Sequence, residues 1–302
     1  MSRYSFRIPA STSNLGAGFD ALSLAVNLYL TVTIEEAGKF GIQARGVSVE
    51  SIPTGPDNLI LRVAQAVAAR RAWTLPSFKI SIENDIPLSR GLGSSAAAIM
   101  AGVTCYELIT GDRLSDDEIF HYALGFEAHP DNLAAALYGG LVSAATSSAG
   151  TVYVARLAVA GGIAPLVVIP EFELSTEKAR AVLPESYSRE DAIYNIQRSA
   201  LTIAALTTGK WEILREAMRD RIHEQYRAPL IPGLEKILAL ELPGLLGIAL
   251  SGAGPSVMAF TEPERVKEVG SAIVSIFGAS GVRSQAQPLI IDTKGRVIGK
   301  TS

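Results

Sequence analysis

The densest run of residues suited to chemistry is Pro87-Leu88-Ser89-Arg90-Gly91-Leu92-Gly93-Ser94-Ser95-Ala96-Ala97. Pro87 has no N–H, and Gly91 and Gly93 have no Cβ, so the run opens as a turn. Ser94 or Ser95 is placed to cap a helix that the following alanines extend. The first N–H groups of such a helix lack internal partners and carry the positive end of its dipole. Glycines let the backbone curl around a phosphate, and two hydroxyls stand ready to bond it or a metal ion on it. The chemistry this predicts is polyphosphate binding. No Lys follows the glycines, so the run is not a Walker A loop.

A second cluster is Glu127-Ala128-His129-Pro130-Asp131-Asn132. The chain predicts a helix running from the capping box Ser115-x-x-Glu118 into this cluster, broken at Pro130, with Asp131 and Asn132 at a fresh helix start. Two carboxylates and an amide at a break are costly to bury without a purpose. A Mg²⁺ ion beside a triphosphate needs only one or two carboxylates. Two further loops carry polar groups. Pro9 to Asp20 reads as a long loop of small residues with Asn14 and Asp20 as hydrogen-bonding groups. Ser251-Gly252-Ala253-Gly254-Pro255-Ser256 lies between two apolar strands, where glycines point to close approach of the backbone to a ligand.

The elements that must position these loops follow from periodicity. Strands are predicted at 3–10, 77–83, 138–146, 151–157, 164–170, 244–251 and 282–291, with Val257 to Phe260 as a return strand. Residues 28–36 and 40–47 read as a hairpin pair. Helices are predicted from Asn58 to about Trp73, from Ser94 to Thr110 with Gly111 ending it, and at about 175–184, 189–208, 210–222 and 263–278. Asn195 and Arg198 share one turn. Arg219, Arg221, His223 and Arg227 read, taken alone, as surface charge, and His121 and His223 as structural. The first domain is expected to end near Gly161-Gly162.

Composition bounds the rest. The 302 residues are 48% hydrophobic and 19% charged, enough for a sizeable core in one large or two ordinary domains. The net charge of −3, with no basic block, argues against nucleic acid as the main partner. Cys105 is the only cysteine, which excludes an internal disulfide and a Cys-based zinc site. No apolar run is long enough to span a membrane, and Met-Ser-Arg-Tyr-Ser-Phe-Arg lacks a signal-peptide core, so a soluble cytoplasmic protein is expected.

The glycine run resembles the ATP loop of the GHMP kinases, Pro-x-x-x-Gly-Leu-Gly-Ser-Ser-Ala, at every fixed position. The four segments together, spanning about 250 residues, resemble the homoserine kinase branch. Its start is matched by Pro9-Ala10-Ser11-Thr12-Ser13-Asn14-Leu15-Gly16-x-Gly18-Phe19-Asp20, and its Glu-x-His-Pro-Asp-Asn and Ser-Gly-Ala-Gly-Pro-Ser are also present. Ala17 and Ala128 stand where Pro and Gly are usual; both are small. The resemblance implies an α+β, two-domain GHMP kinase fold. Residues 1–160 would form a ribosomal protein S5 domain 2-like ATP-binding domain, and 161–302 a ferredoxin-like C-terminal domain. It implies phosphorylation of L-homoserine by ATP with Mg²⁺, in threonine biosynthesis, by a homodimer; a kinase for another small hydroxylated metabolite is the alternative. Residues 87–97 would wrap the triphosphate, with Asn58 near the adenine. Glu127 would hold Mg²⁺ with a hydroxyl from Ser94 or Ser95. Asn14, Asp20, Asp131, Asn132, Arg198, Arg227 and Gly254 would face homoserine, and Asn132, Glu127 and Arg227 would act in catalysis. Homoserine's carboxylate suits a guanidinium and its ammonium suits Asp20. Related mevalonate kinases place an Asp base where Asn132 falls, and Asn takes no proton, so no dedicated side-chain base is expected. A rival remains: Gly16-x-Gly18-x-x-Ala21, with Glu35 or Glu36 beyond, resembles a dinucleotide fingerprint.

Overall fold

The computed structural model describes residues 3–300. Met1 and Ser2, part of the N-terminal reading, and Thr301 and Ser302, at the end of the expected C-terminal domain, lie outside the described residues. In chain order the first half holds β1 (Arg3–Asn14), β2 (Gly18–Glu36), β3 (Gly41–Gly46), α1 (Leu59–Arg70), β4 (Phe78–Asn84), α2 (Ser94–Thr110), α3 (Asp116–Ala123), α4 (Pro130–Tyr138), β5 (Leu141–Thr146) and β6 (Val152–Leu157). The second holds β7 (Ala164–Pro170), α5 (Thr176–Ala181), α6 (Arg189–Thr208), α7 (Leu214–Ala217), α8 (Glu224–Arg227), α9 (Leu234–Leu238), β8 (Leu245–Leu250), β9 (Val257–Thr261), α10 (Val266–Ala279), β10 (Ser284–Pro288) and β11 (Val297–Lys300).

The first sheet runs β11-β1-β2-β4-β3. β5 joins the lower part of β2 at Leu22–Leu24, while β4 takes the upper part from Leu30 to Glu36. One strand serves both because β2 has 19 residues and its register against β1 shifts between Pro9 and Ala10. β3 pairs with β4 in parallel, not with β2, which overturns the expected hairpin. A parallel pair needs a crossover, and α1 supplies it. The expected loop after Pro9 is also mostly strand, since β1 continues to Asn14 and a turn leads straight into β2. That antiparallel β-turn-β leaves no helix after Gly18, so the dinucleotide reading fails.

The second sheet has the order β10-β7-β9-β8. With helices between β7 and β8 and between β9 and β10, this is the βαββαβ pattern of a ferredoxin-like unit. β11 then returns to the first sheet beside β1, an element the sequence did not predict. The main core lies under the first sheet, where α2 and α4 cover its strands. It extends into the second sheet through Val167, Met258 and Phe260. α2 is buried nearly all round, from Ala96 to Leu108, which explains its run of small and apolar residues. The expected helix at 210–222 is reduced to a short 3₁₀ turn and α7, which ends at Ala217; α8 starts only beyond it.

Candidate active site

The four loops meet. Ser11 N–H donates to the Leu92 carbonyl (3.1 Å), Gly252 N–H to Ser13 (3.1 Å) and Ser256 N–H to Arg90 (3.3 Å). The Ser251 hydroxyl donates to the Gly91 carbonyl at 2.7 Å, and Asn14 Nδ2 to Gly252 at 2.9 Å. These contacts explain the glycines. Gly91 has φ +73°, and a Cβ there would lie 2.1 Å from the Ser251 carbonyl; Gly93 has φ +70°, and a Cβ there would lie 2.2 Å from Ser11 Oγ. Gly93, not a serine, is the N-cap of α2, so the Ser94 and Ser95 hydroxyls are not consumed in capping that helix.

Where the loops meet they line an open polar cleft. On it lie Ser89, Gly91 to Ala96, Asn14, Asp20, Glu127, Asp131, Asn132 and Arg227. An apolar pocket, with Leu30, Ile52, Leu59, Ile82 and Leu88, shares Ser89, Ser94 and Ser95 with the cleft. Asn58 lines this pocket, but its side chain is already engaged. Its Oδ1 caps α1 through the N–H groups of Ile60 and Leu61, and its Nδ2 donates to Pro53. Pro87, Arg90 and Ala97 line neither hollow; Arg90 instead donates to the Glu171 carbonyl at 2.7 Å. Of the Ser251 turn, Gly252 and Ala253 reach the cleft and Gly254 does not.

Asn132 is pinned at both ends: Ser11 Oγ donates to its Oδ1 (2.8 Å) and its Nδ2 donates to Ser13 Oγ (3.0 Å). α3 stops at Ala123, so Glu127 sits in the connection and His129 is the N-cap of α4. Asp131 is buried at 2% exposure, and its Oδ1 has no hydrogen-bond partner. Burial above all, with the Asp20 and Glu127 charges behind it, pushes its carboxyl up to about 6, against a backbone hydrogen bond from Asn132. Asp131 lines the cleft, and a buried carboxylate with an orphaned oxygen there marks a place for a cationic group.

Arg227, which reads as surface charge in sequence, is 1% exposed. Its Nε donates to the Ala179 carbonyl (3.0 Å), and its Nη1 to Gly252 (3.1 Å) and to His223 Nδ1 (3.2 Å). Nη2 is left for the cleft. Burial, then the neighbouring Arg180 charge, lowers it to about 10, so it remains a cation at neutral pH. His223, which reads as surface charge when taken alone and as structural for want of a metal partner, is fully buried.

The structure does not bring Arg198 to this place. Its guanidinium lies 3.2 Å from the centre of the Tyr194 ring and pairs with Glu216. Arg180 stands there instead, and sequence reasoning missed it. It grips Asp20 with two hydrogen bonds of 2.7 and 3.2 Å and approaches His129 Nδ1 at 3.0 Å. His129 in turn lies 3.3 Å from Asp20. No local signal marks Arg180 in the Glu-Lys-Ala-Arg-Ala stretch of a short surface-like helix. His129 was visible inside its motif.

A two-domain α+β fold with a glycine loop at a helix start, clamped between the two halves, defines a GHMP kinase. The family described as GHMP kinases N terminal domain matches residues 58–140, and GHMP kinases C terminal matches 202–279. Among curated proteins, homoserine kinase of Solibacter usitatus is 43% identical over 97% of this chain and 96% of its own length. That of Desulfitobacterium hafniense is 40% identical over 97% and 98%. The crystal structure of homoserine kinase from Cytophaga hutchinsonii superposes with TM-score 0.85 at 26% identity, covering 99% of this chain and 98% of that one. The chain belongs to the homoserine kinase family. No helix among the described residues is long and apolar enough to cross a membrane.

Proposed function

We propose that the chain transfers the γ-phosphoryl group of ATP to the hydroxyl of L-homoserine, giving O-phospho-L-homoserine and ADP for threonine biosynthesis. The observation that carries this reading is the convergence of four loops on one polar cleft flanked by an apolar pocket. The pocket would take the adenine and the start of α2 the polyphosphate. In the cleft, Arg227 Nη2 would meet the substrate carboxylate. The Asp131 and Asp20 carboxylates would meet its ammonium, with the Asn14 amide beside them. Arg180, already bound to Asp20, would fix that carboxylate's orientation and add positive charge. Phosphoryl transfer of this kind is mostly positioning and charge neutralisation.

Mg²⁺ fits the donor set in a limited way. Among the described residues no group of three or more His, Cys, Asp or Glu side chains converges on a metal site. Glu127 on the cleft, with the Ser95 or Ser94 hydroxyl, would therefore hold the ion jointly with phosphate oxygens. When bound, the ion would neutralise charge on the phosphates. Asn132, held by Ser11 and Ser13, orients the acceptor and takes no proton. The hydroxyl proton leaves to a phosphate oxygen or to water as the new P–O bond forms and ADP departs.

The remaining parts of the reading are a division at about residue 160, a homodimer and a cytoplasmic location. The separate second sheet, which begins at Ala164, supports the first of these, with β11 as a tie back to the N-terminal sheet. The test of function is ADP release with ATP, Mg²⁺ and, separately, homoserine, mevalonate, galactose and threonine. Turnover with homoserine is expected. Turnover with another of the four and none with homoserine would move the substrate elsewhere in the superfamily.

A further inference from the structure

We propose that His223 is a positioning residue for Arg227, a neutral ring that joins the turn after β1 to the arginine at the cleft. The inference rests on the reading of Arg227 as a homoserine ligand. His223 Nε2 lies 2.9 Å from the Gly16 carbonyl, and Nδ1 lies 3.2 Å from Arg227 Nη1. A carbonyl only accepts and a guanidinium only donates. Nε2 therefore carries the hydrogen and Nδ1 is bare, which fixes one tautomer and excludes the charged ring. The groups facing the ring agree. Burial lowers its proton affinity first; Asp220, 3.7 Å from Nε2, opposes that, Arg227 adds to it, and Asp20 is a weaker opposing charge.

Geometry gives the ring its reach. Phe19 stacks on it with centroids 5.1 Å apart and planes at 22°. Phe19 also lies 5.4 Å from the Arg227 guanidinium and 5.6 Å from that of Arg180. The ring thus ties the turn bearing Asn14 and Asp20 to α8. Three acceptors, on Ala179, Gly252 and His223, hold the guanidinium so that Nη2 keeps one direction. A preoriented guanidinium loses less freedom when a carboxylate arrives. The substitution that removes only the acceptor should therefore weaken substrate binding and leave the nucleotide untouched.

Two variants separate positioning from bulk. In His223→Asn the side-chain oxygen sits near the place of Nδ1 and still accepts from Arg227, but the side chain ends short of Gly16. In His223→Gln the amide extends to Gly16 and vacates the Nδ1 position. Removing a hydrogen bond to a charged group predicts a rise of about tenfold in the homoserine KM for Gln, with Asn within about threefold of the parent. The ATP KM should stay within about twofold for both. Equal rises in the two variants, or a matching rise for ATP, would overturn the proposal in favour of a packing role. The unaltered protein supplies a second readout that needs no substrate and no variant. Nitrogen NMR of labelled histidine should show the Nε2–H tautomer of His223 at neutral pH, with the ring taking up a proton less readily than an ordinary histidine because it is buried. A ring protonated at Nδ1 at neutral pH would overturn the proposal. Parent enzyme that turns over no homoserine would sink the functional reading instead, and leave the tautomer as stated.

Discussion

The loop at residues 87–97 and the segment at 210–230, through Arg227, line the same cleft, yet they are built by different rules. In the loop, the backbone path follows from residue types close together in sequence, although Gly91 and Gly93 also admit Ser251 and Ser11 from far along the chain. Pro87 starts the turn, Gly91 and Gly93 adopt positive φ, and the alanines extend α2. In the segment, roles come from contacts with other elements, between 25 and 207 positions away. His223 bonds Gly16 across 207 positions, and Arg227 bonds Gly252 in a different loop. A phosphate needs backbone N–H groups, which a short motif can supply by itself. An amino acid with two opposite charges needs side chains of both signs, brought in from several elements. The difference shows why a nucleotide site is readable as a string and a substrate site is readable only in three dimensions.

The largest effect should come from breaking the local side. Gly91→Ala puts a Cβ 2.1 Å from the Ser251 carbonyl at a positive φ. The backbone strain alone is about 1–3 kcal/mol, and the clash forces the two loops apart. kcat/KM for ATP should fall by at least about a hundredfold. Activity within threefold of the parent would mean the loop does not need this clamp. Arg227→Ala attacks the other side. The homoserine KM should rise by roughly thirtyfold, as for loss of a charge-assisted hydrogen bond in a buried place, with little change for ATP. The reverse pattern would remove Arg227 from the substrate side and erase the contrast.

Asp131 sharpens the comparison through pH. Its carboxyl is pushed up to about 6 from an ordinary 3.8, mainly by burial. Only the ionised form would hold the substrate ammonium. kcat/KM for homoserine should therefore fall about tenfold between pH 7 and pH 5, a limb reporting the free enzyme. The folded chain binds this proton more tightly than the unfolded one. The group's contribution to stability is full below the unfolded value of 3.8 and is lost as pH rises through about 6. Asp131→Asn should accordingly flatten the limb and raise the melting temperature at pH 7. A limb that survives in that variant would point to another group. Asn132→Ala should have a smaller effect, about fivefold on kcat/KM, because its amide orients and does not exchange a proton. If turnover vanished while homoserine affinity stayed intact, Asn132 would have a chemical role.

Much of the scaffold was legible. The capping box at Ser115 and Glu118, the Asn58 cap and the bounds of α2 and α6 follow from local patterns. The pairing of β3 was not. A short connection from β2 favours a hairpin, and only the competing claim of β4 on the same edge of β2 decides otherwise. β11 escaped for a related reason: four residues at the chain's end carry too little period to announce a strand, and pairing with β1 makes them one. The burial of Arg227 and His223 escaped because their short helix has no periodic face. What buries them is the Gly16 turn and the Ser251 loop.

The smallest effect belongs to Arg198, the second arginine of the pair that the comparison turns on. Arg198 and Arg227 both lie in helices of the second half, and sequence gives no reason to separate them. The structure separates them by partners. Arg198 packs on Tyr194 and pairs with Glu216, whose side chain is 52% exposed. A partner that open to water contributes little, on the order of 0–1 kcal/mol. Arg198→Ala should lower the melting temperature by a few degrees at most and leave the homoserine KM within about twofold of the parent. A rise as large as that for Arg227→Ala would place both arginines on the substrate. It would also mean that α6 swings its middle turn toward the cleft when homoserine binds, a movement visible as new protection from hydrogen exchange around Tyr194.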